Sequence, residues 1–161
     1  PKTITTKDML SHPGPYTVFG ANGIIGNYHK YNHETEEVIV TCRGATCGTV
    51  NISQPKSWIT GNAMVVRPVV ASIRKVFLFW VLRATNLAAA TSGSAQPQIT
   101  RTTLSPTLIP LPPLDEQRRI VAYLDAVQEK AKALQQAQAE TDTELRRLEQ
   151  SILAAAFRGK L

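Results

Sequence analysis

His29 and His33 stand four residues apart with Glu34, Glu36 and Glu37 close behind, so these residues are the first place to look for a metal or a proton relay. Four-residue spacing aligns two imidazoles only on a helix, and His29 to Glu37 is a polar stretch without helical periodicity. Solvated loop residues are the simpler reading. Cys42 and Cys47 are the only cysteines, and their five-residue offset without nearby His partners argues against zinc and for reduced thiols in a cytoplasmic protein. The glycines at 20, 23 and 26 follow a G-x-x-G-x-x-G spacing, which is not the dinucleotide fingerprint, and no helical pattern follows them. Catalysis requires an activated nucleophile, a matched acid and base, a metal cluster or a cofactor loop. None stands out, and the chain reads as non-catalytic.

Positive charge is the chemistry that remains. Residues 1–114 hold ten Lys/Arg against four Asp/Glu, whereas residues 115–161 hold eight of each, so the whole formal excess of +6 belongs to the front of the chain. A basic module joined to a neutral one suggests that the first meets a polyanion and the second meets protein. Lys30, Arg43, Lys56, Arg67, Arg74, Lys75, Arg83 and Arg101 supply the excess, and such side chains pair with phosphates or, for Arg, grip guanine bidentately. Asn22 and Arg43 lie in glycine-flanked turns and are the candidate DNA readers, with Lys30, Lys56, Arg74, Lys75 and Arg101 as candidate phosphate contacts. For any single one of them a merely exposed charge is the simpler reading; the collective excess is better evidence for binding than any member.

The elements that would position these residues are mostly β. Residues 2–15 read as a lead-in ending in the turn Pro13-Gly14-Pro15, followed by a hairpin from Tyr16–Phe19 and Ile24–Tyr28 across Gly20-Ala-Asn-Gly23. Val38-Ile-Val-Thr-Cys42 is the clearest strand, with Thr49–Ile52 and Ala63–Arg67 as further strands. From Ala71 to about Ala90 the apolar spacing becomes helical, with Phe77, Phe79 and Trp80 as packing aromatics. Thr91 to Arg101 has the composition of a polar linker.

One long helix is expected from Asp115 to Phe157. Ile120, Leu124, Val127, Ala131, Leu134, Gln138, Thr141, Leu145, Leu148, Ile152 and Ala155 follow a seven-residue repeat in which nine of the eleven positions are apolar. Such a helix extends for about 60 Å, too far to lie against one small domain, so its seam must meet another long helix. The seam residues Ile120, Leu124, Val127, Leu134, Leu145, Leu148 and Ile152 are the candidate coiled-coil interface. Gln138 and Thr141 interrupt it, as a tolerated weak spot or as a layer that sets register. The longest apolar run, Val76-Phe-Leu-Phe-Trp-Val-Leu82, is far too short to cross a bilayer, so no membrane partner is expected. The first residue is Pro1 rather than Met, which suggests a piece of something longer.

Three further stretches carry a resemblance. Ser92-Gly-Ser-Ala-Gln-Pro-Gln-Ile-Thr100, then Ile109-Pro-Leu-Pro-Pro-Leu-Asp-Glu-Gln-Arg-Arg-Ile-Val-Ala-Tyr-Leu-Asp125, and Ser151-Ile-Leu-Ala-Ala-Ala-Phe-Arg-Gly-Lys-Leu161 closely resemble the specificity subunit of type I restriction-modification systems. The front, with Val18–Gly26, Thr41–Gly48 and Gly61-Asn-Ala63, is similar to that family's target-recognition domain. The resemblance implies an α+β chain: a small β-rich domain, residues 1–114, reading half of a bipartite site in double-stranded DNA, and a conserved-region helix, residues 115–161, in an antiparallel coiled coil. It implies partners as well: modification subunits that carry S-adenosylmethionine, a restriction subunit, and a second specificity half or a second copy met through the helix. No cofactor is expected in this chain, since Leu111-Pro-Pro-Leu114 is not the Asn-Pro-Pro-Tyr type of amine-methylation motif. The family's subunit usually has two such units and this sequence has one. A coiled-coil assembly protein with a basic protein-binding face is the rival reading, and a recognition domain that has acquired methyl transfer is a third.

Overall fold

The computed structural model describes residues 4–21, 23–93 and 96–159, and the chain divides into two compact units, residues 1–119 and 120–161. In the first unit β3 (Val38–Thr41) is buried along its whole length and lies between β4 (Val50–Ile52) and β6 (Ala63–Val66), antiparallel to both. Its β-branched residues fit a strand enclosed on both faces. A second sheet places β1 (Tyr16–Gly20) between β2 (Gly23–Tyr28), its antiparallel hairpin partner, and β5 (Trp58–Ile59), which runs parallel to it. Phe19, Ile39 and Ile59 meet where the sheets face each other, with Ala63 and Val65 packed against them. The architecture is α+β, with small sheets followed by one long helix.

The expected strands are present, and four expectations need correction. The lead-in at residues 2–15 contains a helix, α1 (Thr6–Ser11), opened by a capping box: the Thr5 side chain accepts from Asp8 N–H and the Asp8 carboxylate accepts from Thr5 N–H at 2.8 Å. The helix expected over residues 71–90 is α2 (Lys75–Ala84) followed by a separate 3₁₀ turn, Leu87–Ala90. Two side chains break it there: the Thr85 hydroxyl donates back to the Val81 carbonyl at 2.7 Å, and the Asn86 side chain accepts from Ala88 N–H at 3.0 Å. The supposed linker holds an antiparallel two-stranded ribbon, β7 (Thr91–Ser92) with β8 (Gln98–Ile99), and runs into α3 (Arg101–Leu104), capped by Thr100. Phe77 is buried as expected, while Phe79 and Trp80 are half-buried with the Arg83 guanidinium 5.8 and 5.6 Å from their ring centres. The fourth correction concerns Glu37. It is no solvated loop residue but a buried carboxylate, held by Arg67 through Nη2 to Oε1 at 2.6 Å and Nε to Oε2 at 2.9 Å.

The last helix, α4 (Leu114–Phe157), is 44 residues long and begins directly after Pro112 and Pro113. Asp115 and Glu116 stand in its first turn, paired three residues on with Arg118 and Arg119, and Gly159, at φ 64°, ends it. Its opening turn belongs to the first unit. Gln117 is completely buried; its amide donates to the Ser72 and Pro112 carbonyls at 2.6 and 2.9 Å and its carbonyl accepts from Arg74 N–H at 3.0 Å. The opening turn is therefore stitched to the segment that starts α2.

Two predictions follow from these buried polar groups. Gln117→Ala strands one backbone donor and two acceptors, so urea unfolding of the first unit should show a loss of about 2–4 kcal/mol. Arg67 hydrogen-bonds to Glu37 and holds its carboxyl below the ordinary glutamate range, against burial that pushes the other way. A depressed folded-state pKa gives stability that is complete above the unfolded value, ~4.3, and is lost as the pH falls through the folded value. Glu37→Gln should destabilise the fold at pH 7, and the gap to the parent protein should close as unfolding is followed down through pH 4 (approximately the unfolded value).

Candidate nucleic-acid interface

The ladder of β3 decides which basic residues share a surface. Thr41 N–H donates to the Thr49 carbonyl and Cys42 N–H to the Asn62 carbonyl, so the strand carries its neighbours in register from Glu37 at one end to Cys42 at the other. Those five steps of extended chain cover about 17 Å.

At the Cys42 end three turns come together. Arg43 opens the turn that ends at Gly48, and its exposed side chain forms no ion pair among the described residues. Gly44 and Gly48 take φ of 86° and 89°, a region that a residue with a Cβ enters at a cost. The Thr46 hydroxyl donates to the Ala21 carbonyl, which ties this turn to the tip of the β1–β2 hairpin. From the other side Arg43 bridges to Gln98, Gly44 N–H reaches the Pro97 carbonyl at 3.3 Å, and Ile99 N–H donates to the Cys42 carbonyl at 2.9 Å. Ile24 and Ile25 are exposed just beyond the hairpin tip. Asn22 lies outside the described residues; its neighbours Ala21 and Gly23 belong to this cluster.

Lys30, Lys56, Arg74 and Lys75 belong to the opposite end. Lys56 adopts φ 53° and its N–H bonds the Glu34 carbonyl; Lys75 Nζ donates to the Glu36 carbonyl at 2.6 Å; Lys30 follows the far end of β2. Arg74 precedes α2 with its backbone engaged by Gln117. Three of the four acids that precede residue 115, Glu34, Glu36 and Glu37, share this end, and Arg67 is taken up by Glu37. Arg101 lines a groove together with Arg67. The candidates therefore do not form one patch. The involvement of Gln98 and Thr46 had no signal in the sequence, because Gln98 acts through a backbone bridge to Arg43 and Thr46 through its hydroxyl on the Ala21 carbonyl, each made across 25 or more residues.

His33 faces Asn32 rather than a metal. Its Nδ1 is 2.7 Å from the Asn32 Oδ1, and burial lowers its pKa. Asn32 in turn brackets Ile59, donating to its carbonyl at 2.9 Å and accepting from its N–H at 2.8 Å. Among the described residues no three His, Cys, Asp or Glu side chains are grouped to hold an ion, and no helix is long and apolar enough to cross a membrane.

This arrangement has known counterparts. Residues 1–141 match the family described as type I restriction modification DNA specificity domain. The chain is 34% identical over 110 residues to the type I restriction enzyme EcoprrI specificity subunit of Escherichia coli, a match covering 68% of this chain and 27% of that protein. Its fold superposes with a TM-score of 0.75 and 32% identity on a chain from a type I R-M system solved for its assembly and conformational transition, covering 99% of this chain and 43% of that one. The HsdS subunit of Thermoanaerobacter tengcongensis gives a TM-score of 0.61 with 33% identity, over 99% of this chain and 42% of that one. The chain thus spans about a quarter of the curated relative's length and about two fifths of each solved chain. With the family's profile matched across the β-rich unit and into the long helix, the chain belongs to the type I restriction-modification DNA specificity family.

Proposed function

We propose that this chain is a non-catalytic reader of double-stranded DNA that recognises one half of a bipartite target. Residues 1–114 act as the target-recognition domain and residues 115–161 as spacer and assembly helix. What carries this reading is the Arg43 turn: an exposed guanidinium with no acid paired to it among the described residues, on a loop braced by the hairpin tip on one side and by β8 on the other. A braced loop presents its side chain to a groove with little ordering cost. Arg43 is assigned to base edges there, and Asn22, which lies outside the described residues, stays a base-edge candidate on its glycine-flanked sequence alone. Lys30, Lys56, Arg74, Lys75 and Arg101 are assigned to phosphate; Glu34 and Glu36 share the end of the strand where the first four stand and offset part of their charge. The domain works beside modification subunits that hold S-adenosylmethionine and beside a restriction subunit, in the cytoplasm, and this chain holds no cofactor.

The helix supplies the second half of the proposal. Leu134, Leu145 and Leu148 are 62, 53 and 57% exposed along the heptad line, an apolar stripe that a second helix would cover. Antiparallel pairing with the equivalent helix, whether of a second half in a longer chain or of a second copy, sets the distance between two readers.

In a titration of duplex carrying the target half-site, Arg43→Ala should weaken binding by about 1–3 kcal/mol, with the larger loss on the cognate sequence, whereas Lys75→Ala should cost less and lower only the salt slope. Equal, sequence-independent losses would remove the Arg43 turn as the reading head. A Leu134→Asp, Leu148→Asp double substitution should shift sedimentation of a paired species to that of a single chain, since each buried leucine contributes about 1.5–3 kcal/mol; unchanged sedimentation would refute seam pairing.

A further inference from the structure

On the face away from the Phe19–Ile39–Ile59 cluster, β6 borders an open groove of about 530 Å³. Its apolar lining comes from Met64 and Val66 on β6, Leu78 and Leu82 on α2, and Leu104 and Ile109 beyond. Two arginines stand at it. Arg101 has no ion-pair partner among the described residues, and Arg67 binds Glu37 through Nε and Nη2, which leaves Nη1 over.

β6 is also an edge strand, paired with β3 alone. In an antiparallel pair the residues whose backbone groups face the partner alternate with residues whose groups face outward. Cys42 N–H donates to the Asn62 carbonyl, so the bonded residues of β6 are Asn62, Met64 and Val66, and the outward ones are Ala63 and Val65. Ala63 N–H turns back to the Thr60 carbonyl, but Val65 N–H and C=O meet nothing among the described residues. Unpaired strand backbone beside an apolar trough fits one kind of ligand, an extended chain that adds to the sheet and lowers every second side chain into the trough.

We propose that this groove is a docking site for an extended peptide segment of another protein, taken up as a fourth strand on β4-β3-β6, with two apolar side chains against Leu78, Leu82 and Leu104 and a carboxylate paired with Arg101. The charge complementarity selects the acid: among the described residues the groove's two arginines have one ion-pair partner between them, Glu37. The site is distinct from the DNA-reading turn at the Cys42 end of β3 but shares Arg101 with the phosphate candidates, so competition between peptide and duplex DNA separates the two roles.

The full chain, labelled with nitrogen-15, should be titrated with the synthetic peptide acetyl-Leu-Thr-Leu-Thr-Glu-Thr-amide, whose apolar and acidic residues share one face of a strand. The expected result is a saturable shift of the Val65 amide and slowing of its hydrogen exchange by about tenfold or more, since exchange then requires the added strand to leave. The Gln-for-Glu peptide, and an Arg101→Gln protein with unchanged spectrum elsewhere, should each bind about tenfold more weakly. Versions of the peptide N-methylated on alternate amides should lose binding in one of the two phases. No shift at Val65, or equal binding by both methylated versions, would overturn the proposal in favour of an empty groove or a merely greasy one. Displacement of the peptide by duplex DNA would also overturn it, assigning the groove to nucleic acid, as would a Val65 amide already protected in proportion to protein concentration, which would assign it to a second copy.

Discussion

Everything in the first unit is arranged around a strand that has no free side. β3 is bonded on both edges and covered on both faces, so its four residues can neither slip nor rotate without breaking two ladders and moving Ile39 out of the core. Odd-numbered backbone groups go to β4 and even-numbered ones to β6, as the bonds of Thr41 and Cys42 show. That alternation dictates much else: where the Arg43 turn emerges, which carboxylate is drawn inside at the strand's start, and why β6 is left with an open edge.

The two ends of this strand are chemically different. At the start, Glu37 is buried with its backbone N–H given to Ser53 Oγ at 2.9 Å and its carboxylate to Arg67, so one basic residue is used to keep the fold rather than to meet a ligand. Removing Arg67 would leave the Glu37 carboxylate without its counterpart in a place water barely reaches, whereas removing Glu37 would free a guanidinium that is already 59% exposed, so the pair is one-sided in what it protects. At the finish, Arg43 has glycines and polar backbone around it and no acid paired to it among the described residues. A net charge of +6 spread over the front of the chain says little by itself; at the Glu37 end acids are interleaved with the bases, whereas the Arg43 turn carries a base and no acid.

How much of this was legible in the sequence depends on the range of the interactions concerned. The β-branched run of β3, the hairpin across Gly20 and Gly23, and the long helix between Pro113 and Gly159 announce themselves locally through pattern and terminators, and so does the Arg43 turn. The capping box at Thr5 and Asp8 is equally local and was hidden only by the polar composition around it. By contrast β5 is two residues long and exists because β1 offers it a parallel edge, some forty residues away in the chain. Glu37 looks like its neighbours Glu34 and Glu36 until Arg67, thirty residues on, claims it. Counting charges along the chain could not separate the Arg43 end from the Lys75 end, since that separation is created by strand pairing alone.

The long helix poses the opposite problem, because its local stability and its association draw on different residues. Its outer positions are mostly Ala, Gln, Glu, Lys and Arg, good helix formers with pairs such as Glu129 and Lys132 at 2.8 Å, each worth only a few tenths of a kcal/mol. Such a surface keeps the helix wound but supplies no reason to pair. That reason lies in the seam, and the seam is uneven: Ile120, Leu124 and Val127 stand towards one end, Leu145, Leu148 and Ile152 towards the other, with Gln138 and Thr141 near the middle. Thr141 directs its hydroxyl into its own helix, to the Ala137 carbonyl at 3.0 Å, which spares a partner helix an unmet donor. Under the antiparallel pairing proposed here, each apolar end would lie opposite the other and the polar centre opposite itself. A shift by one heptad would set Gln138 against leucine, so the weak middle of the seam would serve to hold the register on which the spacing of two readers depends.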